Sequence, residues 1–176
     1  MPYVCEDDRS RQITEAARLV RAAQRGDTLA MARLLDELAP YVGRICGPIA
    51  LDQGADAAQE ALVAVFRSLR SLKDPAAVRG WARAIAVREA VRIARRSARA
   101  VPADLSTLPA RGDPELGADI GDVLDRLSPE HRAVLVLRDV EGLDERAAAE
   151  LLGVRVGTVK SRLSRARDTF RKAWTS

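Results

Sequence analysis

Apolar residues recur along the chain at three- and four-residue spacing, and no stretch alternates apolar with polar for long, so helices are expected nearly throughout. Breakers set the limits of each helix. Ile13 to Arg25 is amphipathic and stops at Gly26-Asp27, Thr28 to Cys46 forms a second helix, and Asp52 to Leu72 a third. Lys73-Asp74-Pro75 ends that helix, and Val78 to Arg96 makes a fourth. From Ser97 to Gly117, Pro102, Pro109, Pro114, Gly112 and Gly117 interrupt any helical periodicity and mark a flexible linker. Beyond it, Ile120 to Leu127 leads to Ser128-Pro129-Glu130-His131, where Ser128 can cap a helix that starts at Pro129 and runs to about Val140. Glu141-Gly142 then turns the chain. The expected architecture is all-α: a tail (1–11), a helical domain (12–96), the linker (97–117) and a second small helical domain (118–176).

The final segment adds chemistry to this pattern. Ala147, Leu151 and Leu152 make one apolar stripe, Gly153 tolerates the positive φ of a turn, and Val156, Val159 and Leu163 make a second stripe. This is the spacing of a helix-turn-helix. Its second helix is expected to show solvent the row Arg155, Thr158, Lys160, Ser161, Arg162 and Arg165. Such a mixture suits a DNA major groove, where Arg and Lys reach guanine edges or phosphates and hydroxyls take phosphate oxygens.

The net charge of +4 is modest, but its placement is not. Residues 155–172 hold Arg155, Lys160, Arg162, Arg165, Arg167, Arg171 and Lys172 against Asp168 alone. Residues 79–99 hold Arg79, Arg83, Arg88, Arg92, Arg95, Arg96 and Arg99 against Glu89 alone. Two separate basic helices point to two contacts with a polyanion. A solvated helix face is the plain alternative for each, and only the C-terminal patch has helix-turn-helix spacing to raise it above that reading.

Several function classes drop out. His131, the only histidine, sits in the first turn of a helix without a Ser, Cys or carboxylate constellation, and fits a structural or solvent role. Asp7-Asp8 and Asp36-Glu37 lie on a tail and an exposed face, without the differently buried pair that acid and base work needs. No glycine-rich phosphate loop is present, so no catalytic residue is expected. Cys5 and Cys46 suggest free thiols, Cys46 in the core, and no metal or cofactor site is expected. No apolar run approaches the ~18 to 20 residues of a membrane span, and Glu6, Asp7 and Asp8 stand where a signal peptide is basic, so a cytoplasmic location is expected.

Leu127-Ser-Pro-Glu-His-Arg-Ala-Val-Leu-Val-Leu-Arg-Asp-Val-Glu-Gly-Leu143, with Gly153-Val-Arg-Val-Gly-Thr-Val-Lys-Ser-Arg-Leu-Ser-Arg-Ala-Arg167, resembles region 4 of the extracytoplasmic-function (ECF) sigma factors of the sigma-70 family. Leu19-Val-Arg-Ala-Ala-Gln-Arg-Gly-Asp27, Asp56-Ala-Ala-Gln-Glu60 and Arg79-Gly-Trp-Ala-Arg-Ala-Ile-Ala86 resemble their region 2. The resemblance implies a promoter-specificity factor that binds bacterial core RNA polymerase and directs transcription initiation. It implies that region 4 reads the −35 element through Arg155, Thr158, Lys160, Ser161, Arg162 and Arg165, with Arg138 on the DNA backbone. Asp56, Gln59 and Glu60 would dock on the β′ clamp helices. Arg79, Trp81, Arg83, Arg88, Arg92, Arg95 and Arg96 would meet the −10 element. Region 4 would meet the β flap, the linker would thread the RNA-exit path, and an anti-sigma factor is a further partner the resemblance allows.

Departures from the family pattern are informative too. Many relatives carry an Asn and an Asp at the positions of Arg88 and Arg92. Arg lacks the paired donor and acceptor of Asn but holds phosphate or stacks on a base, so the −10 preference should change. Ala57 and Ala58 replace bulkier residues and should thin the packing of the docking helix. Trp81 is the aromatic best placed to hold an unstacked base, although core anchoring is its simpler role, as it is for Val65 and Phe66. Two rivals remain at this level: a stand-alone helix-turn-helix regulator that binds duplex DNA without polymerase, and an adaptor that binds polymerase without reading DNA.

Overall fold

A computed structural model describes residues 6–100 and 120–174, with side chains described for 14–98 and 120–172. Within these limits the chain forms α1 (Glu6–Gln24), α2 (Thr28–Ala50), α3 (Gly54–Ser68), α4 (Val78–Ala100), α5 (Ile120–Asp125), α6 (Pro129–Leu135), α7 (Glu145–Leu152) and α8 (Val156–Trp174). Single 3₁₀ turns flank α3 and precede α4, and a π turn, Val136–Val140, extends α6. Among the described residues there is no strand.

The breakers act as the sequence predicts. Asp27 caps α2 by accepting from the Ala30 N–H at 3.0 Å, Asp74 accepts from the Ala76 N–H at 3.0 Å, and Ser128 caps α6 with Pro129 in its first turn. Four boundaries differ from expectation, one being that α3 ends at Ser68 rather than Leu72, with the 3₁₀ turn Leu69–Ser71 after it. Helix α1 begins at Glu6 rather than Ile13, so residues expected in the tail are helical. Helix α2 passes Gly47-Pro48 and ends at Ala50, because Ile45, Cys46, Ile49 and Ala50 are all buried there and their packing outweighs one missing donor. Helix α4 runs to Ala100, taking in the first residues expected of the linker, and the rest of the linker lies outside the described residues.

Helix α2 is the axis of the N-terminal half. Its stripe Ala30, Leu34, Leu38, Val42, Ile45 and Ile49 is buried against α1, α3 and α4. Each fully buried Leu or Ile stabilises such a core by about 2–3 kcal/mol. The α2–α3 corner is tight: Leu51 takes φ 54°, and a Cβ on Gly54 would stand 2.8 Å from the Gly47 Cα. Small residues let these two helices touch there.

In the C-terminal half, α6, α7 and α8 enclose Val134, Leu137, Ala148, Ala149, Val159 and Leu163. The predicted stripes shift by a position. Ala148 and Ala149 are the buried residues of α7, with Ala147, Leu151 and Leu152 only partly covered. On α8 the buried series is Val159, Leu163 and Ala166, whereas Val156 is 38 % exposed at the start of the helix. The two halves also pack on one another, α6 lying against α2 and α4, so that one hydrophobic cluster runs through both.

Candidate nucleic-acid interface

The turn before α8 is built by its own residues. Asp144 accepts from the Ala147 N–H at 2.7 Å to start α7, and Gly153, at φ 64°, closes it with its N–H on the Ala149 and Glu150 carbonyls. Helix α8 leaves that turn with Val159, Leu163 and Ala166 inward. At 100° per residue, Arg155, Thr158, Ser161, Arg162 and Arg165 then share one outward face. Arg155, Ser161 and Arg165 are exposed, and Thr158 and Arg162 are half-buried. Lys160 does not share this face. It flanks the buried stripe on the other side, 3.5 Å from Glu145 on α7.

The surroundings of α8 are held by further pairs. Arg167 meets Asp139 at 2.6 Å. Arg138 donates from its guanidinium to the Leu143 carbonyl, and its Nε is buried without a partner. Arg138 is thus a strut of the turn before α7. His131 sits at the foot of α6, its Nδ1 2.6 Å from Ser128 Oγ. Burial, Arg162 and Arg165 together hold its pKa below the ordinary value of 6.5, so it is neutral beside this basic face.

Helix α4 divides its basic residues between two sides. Trp81, Arg88, Arg92, Arg95 and Arg96 lie on one broad outer face, with Arg88, Arg95 and Arg96 exposed and Trp81 half-buried against the core. Arg79 and Arg83 point the other way. The Arg79 guanidinium lies 5.1 Å from the Tyr41 ring centroid, and Arg83 reaches Glu141 at 3.3 Å. Tyr41 Oη also donates to Glu141, at 2.6 Å, and its pKa is pushed up to about 12 by burial and by that carboxylate. Arg92 is tied to Glu89 at 2.5 Å and lies 3.9 Å from Glu60.

Helix α3 presents a different surface. Asp56, Gln59 and Glu60 are exposed on one stripe, and Val63 and Phe66 continue it. Phe66 is 54 % exposed, so its expected core role is wrong, whereas Val65 is fully buried as expected. The spacing Asp56, Gln59/Glu60, Val63, Phe66 is an i, i+3/i+4, i+7 series, and that signal was present in the sequence. Ala57 is fully buried and brings α3 close to the core. Asp56, Gln59, Glu60, Arg92 and Arg96 line one groove of about 570 Å³ between α3 and α4.

Among the described residues, no group of three metal-ligating side chains comes together, and no helix is long and apolar enough to cross a membrane. Cys46 is buried and its thiol is pushed up to about 12 by burial and by Glu89, which removes it as a nucleophile.

Residues 118–170 match the family model for sigma-70, region 4. The chain is also similar to the ECF RNA polymerase sigma factor SigE of Mycolicibacterium smegmatis, 38 % identical over 128 residues, which are 66 % of this chain. The chain is thus similar to ECF sigma factors of the sigma-70 family. The aligned stretch spans 49 % of the length of SigE. The RNA polymerase sigma-H factor of Pseudomonas aeruginosa is matched over more of its length, at 29 % identity across 88 % of this chain and 91 % of that protein. The fold agrees with the crystallised sigma factor RpoE of Bartonella quintana, in complex with the anti-sigma factor NepR, at a TM-score of 0.61 and 22 % identity over 81 % of this chain and 94 % of that one. The solvent-facing row from Arg155 to Arg165 lies inside the matched region 4 segment.

Proposed function

We infer that this chain is a dissociable promoter-specificity subunit of a bacterial RNA polymerase, binding the core enzyme and directing initiation at promoters with matching −35 and −10 elements. One observation carries the reading: in a chain similar to ECF sigma factors, the helix after the region 4 turn keeps its apolar series inward and aligns Arg155, Thr158, Ser161, Arg162 and Arg165 on one outward face. That face is the −35 reader, and Lys160 at its flank supplies a phosphate contact after parting from Glu145. Arg138 acts on the DNA through the turn it braces.

Residues 12–96 act as the core-binding and −10 module and 118–176 as the −35 module, with 97–117 as their linker. Arg88, Arg92, Arg95 and Arg96 engage the −10 strand, and Trp81, half-buried, stacks on a base only at its free edge. Arg79 and Arg83 join them from the opposite side of α4. The stripe Asp56, Gln59, Glu60, Val63 and Phe66 docks on the β′ clamp helices, apolar centre and charged rim together. Region 4 meets the β flap. The work takes place in the cytoplasm, where the polymerase is, and an anti-sigma factor is a further partner, as RpoE has in its complex with NepR. The chain is a specificity factor and not an enzyme.

The two basic positions of α8 are expected to behave differently. In reconstituted transcription, Arg162→Ala should lower specific initiation by about tenfold or more, as loss of a base or close phosphate contact does. Lys160→Ala should cost only a few-fold, and mainly at higher salt. Unchanged start-site selection in the double variant contradicts −35 reading by this helix.

A further inference from the structure

A cleft of about 690 Å³ opens between α4, the start of α6 and the turn that joins α7 to α8. That is inside the roughly 300–1,000 Å³ range of small-molecule sites. Its walls carry five guanidinium groups, Arg88, Arg92, Arg95 and Arg96 from α4 and Arg162 from α8, against two carboxylates, Glu130 and Glu150. The pairing is uneven. Arg92 is held by Glu89 and Arg95 by Glu130, each at 2.5 Å, whereas Arg88, Arg96 and Arg162 have no carboxylate partner among the described residues. Three unpaired cations around one concavity repel one another and favour a multiply charged anion. The planar fork of arginine matches phosphate oxygens in particular.

Phosphate alone leaves part of the cleft unexplained. Val87 is buried at its floor, and Val91, Leu151, Leu152 and Val154 line it half-buried. Such a wall suits the face of a flat ring and offers nothing to a bare polyphosphate. Glu150 is exposed on α7 and has no cationic partner among the described residues. A carboxylate only accepts hydrogen bonds and repels phosphate, so its partner in an anion site is an N–H edge. Guanine presents two adjacent donors, N1–H and the N2 amino group, to match two carboxylate oxygens, whereas adenine shows one donor beside an acceptor.

We propose that this cleft binds a guanine nucleoside polyphosphate, with its phosphates on Arg88, Arg96 and Arg162, its base against the apolar wall and its N1–H edge on Glu150. On the sigma-factor reading these arginines also meet promoter DNA, so nucleotide and promoter exclude one another, each weakening the other by the same factor.

Isothermal titration of the full chain with GTP, ATP, guanosine and inorganic tripolyphosphate, at one stated salt concentration, reads this without polymerase or DNA. GTP is expected to bind once per chain, and about tenfold or more tightly than ATP or tripolyphosphate, each of which lacks part of the match. Guanosine alone should give no saturable heat. Absence of saturable GTP binding overturns the proposal, and so does tripolyphosphate binding as tightly as GTP, which reduces the cleft to a charged surface. ATP as tight as GTP overturns the role of Glu150, and Glu150→Gln should narrow or reverse the preference for GTP. Arg96→Gln and Arg162→Gln, on opposite walls, should each weaken GTP about tenfold, the loss of one charge-assisted contact. Arg33→Gln, exposed on α2 and outside the cleft, removes the same charge and should leave the affinity unchanged. Equal losses in all three variants overturn a defined site. These side chains are exposed or half-buried, so the variants should keep their helices, which circular dichroism checks. Saturating GTP should also weaken the binding of a nonspecific duplex to the free chain, and a duplex affinity that does not move overturns the exclusion. A chain that binds GTP but never supports promoter-specific initiation refutes the sigma-factor reading and leaves the nucleotide site standing.

Discussion

Tyr41 concentrates several effects at one side chain. Its ring is covered by Arg44 and Arg79, at 5.8 and 5.1 Å, and its hydroxyl donates to Glu141. Only the protonated phenol can donate, and its pKa rises from 10.0 to about 12 on folding. A raised folded pKa means stability that is fully present below pH 10 and is lost as pH climbs through 12. Wild type is therefore expected to lose about 2–3 kcal/mol at most between these values relative to Tyr41→Phe, measured as urea midpoints along a pH series. Parallel pH profiles for the two proteins contradict the assignment. Residue types of this kind were only partly legible in the sequence. Spacing places Thr158, Ser161, Arg162 and Arg165 together, but charge suggests adding Lys160, whose angle on α8 puts it beside Glu145. The apolarity of Phe66 suggests the core, while helical angle alone puts it in line with Asp56 and Gln59.

At the scale of elements, boundaries followed local chemistry where capping decides and failed where packing decides. Asp27, Asp74 and Ser128 were legible because a side-chain acceptor, followed by a proline at Asp74 and Ser128, acts within four residues. The continuation of α2 past Pro48 was not, since it depends on what covers Ile49 and Ala50. Two elements carry sharp expectations. On α3, Phe66→Ala removes exposed area, so stability should change by less than about 1 kcal/mol. Affinity for core polymerase should nevertheless fall about tenfold or more if Phe66 anchors the docking stripe. A titration of labelled protein with core enzyme reads this, and unchanged affinity removes Phe66 from the interface. At the α2–α3 corner, Gly54→Ala drives a methyl into the Gly47 backbone 2.8 Å away. The helices must separate, costing about 1–3 kcal/mol. A urea midpoint equal to or above wild type would show that the corner yields freely.

For the whole molecule, the sequence placed the two basic helices, but it did not show that the two halves touch. That contact depends on side chains far apart in sequence: Tyr41 with Glu141, Arg95 with Glu130, Arg132 with the Ile49 carbonyl. None of these pairs has a periodicity or a local motif that announces it. The basic helices also read differently once placed. Arg83 and Arg79 leave the outer face of α4 for Tyr41 and Glu141, so the surface free to meet a nucleic acid is narrower than the count of arginines suggests. On the proposed function, joining two modest DNA-reading surfaces in one chain would still give each a high effective concentration once the polymerase fixes their spacing. The central claim is that this chain gives core RNA polymerase a promoter preference. Run-off transcription with core enzyme on a pool of promoter fragments, with and without the protein at one stated salt concentration, tests it most directly. The account predicts discrete new start sites preceded by shared −35 and −10 sequences, and no specific transcript beside duplex binding without polymerase would contradict it.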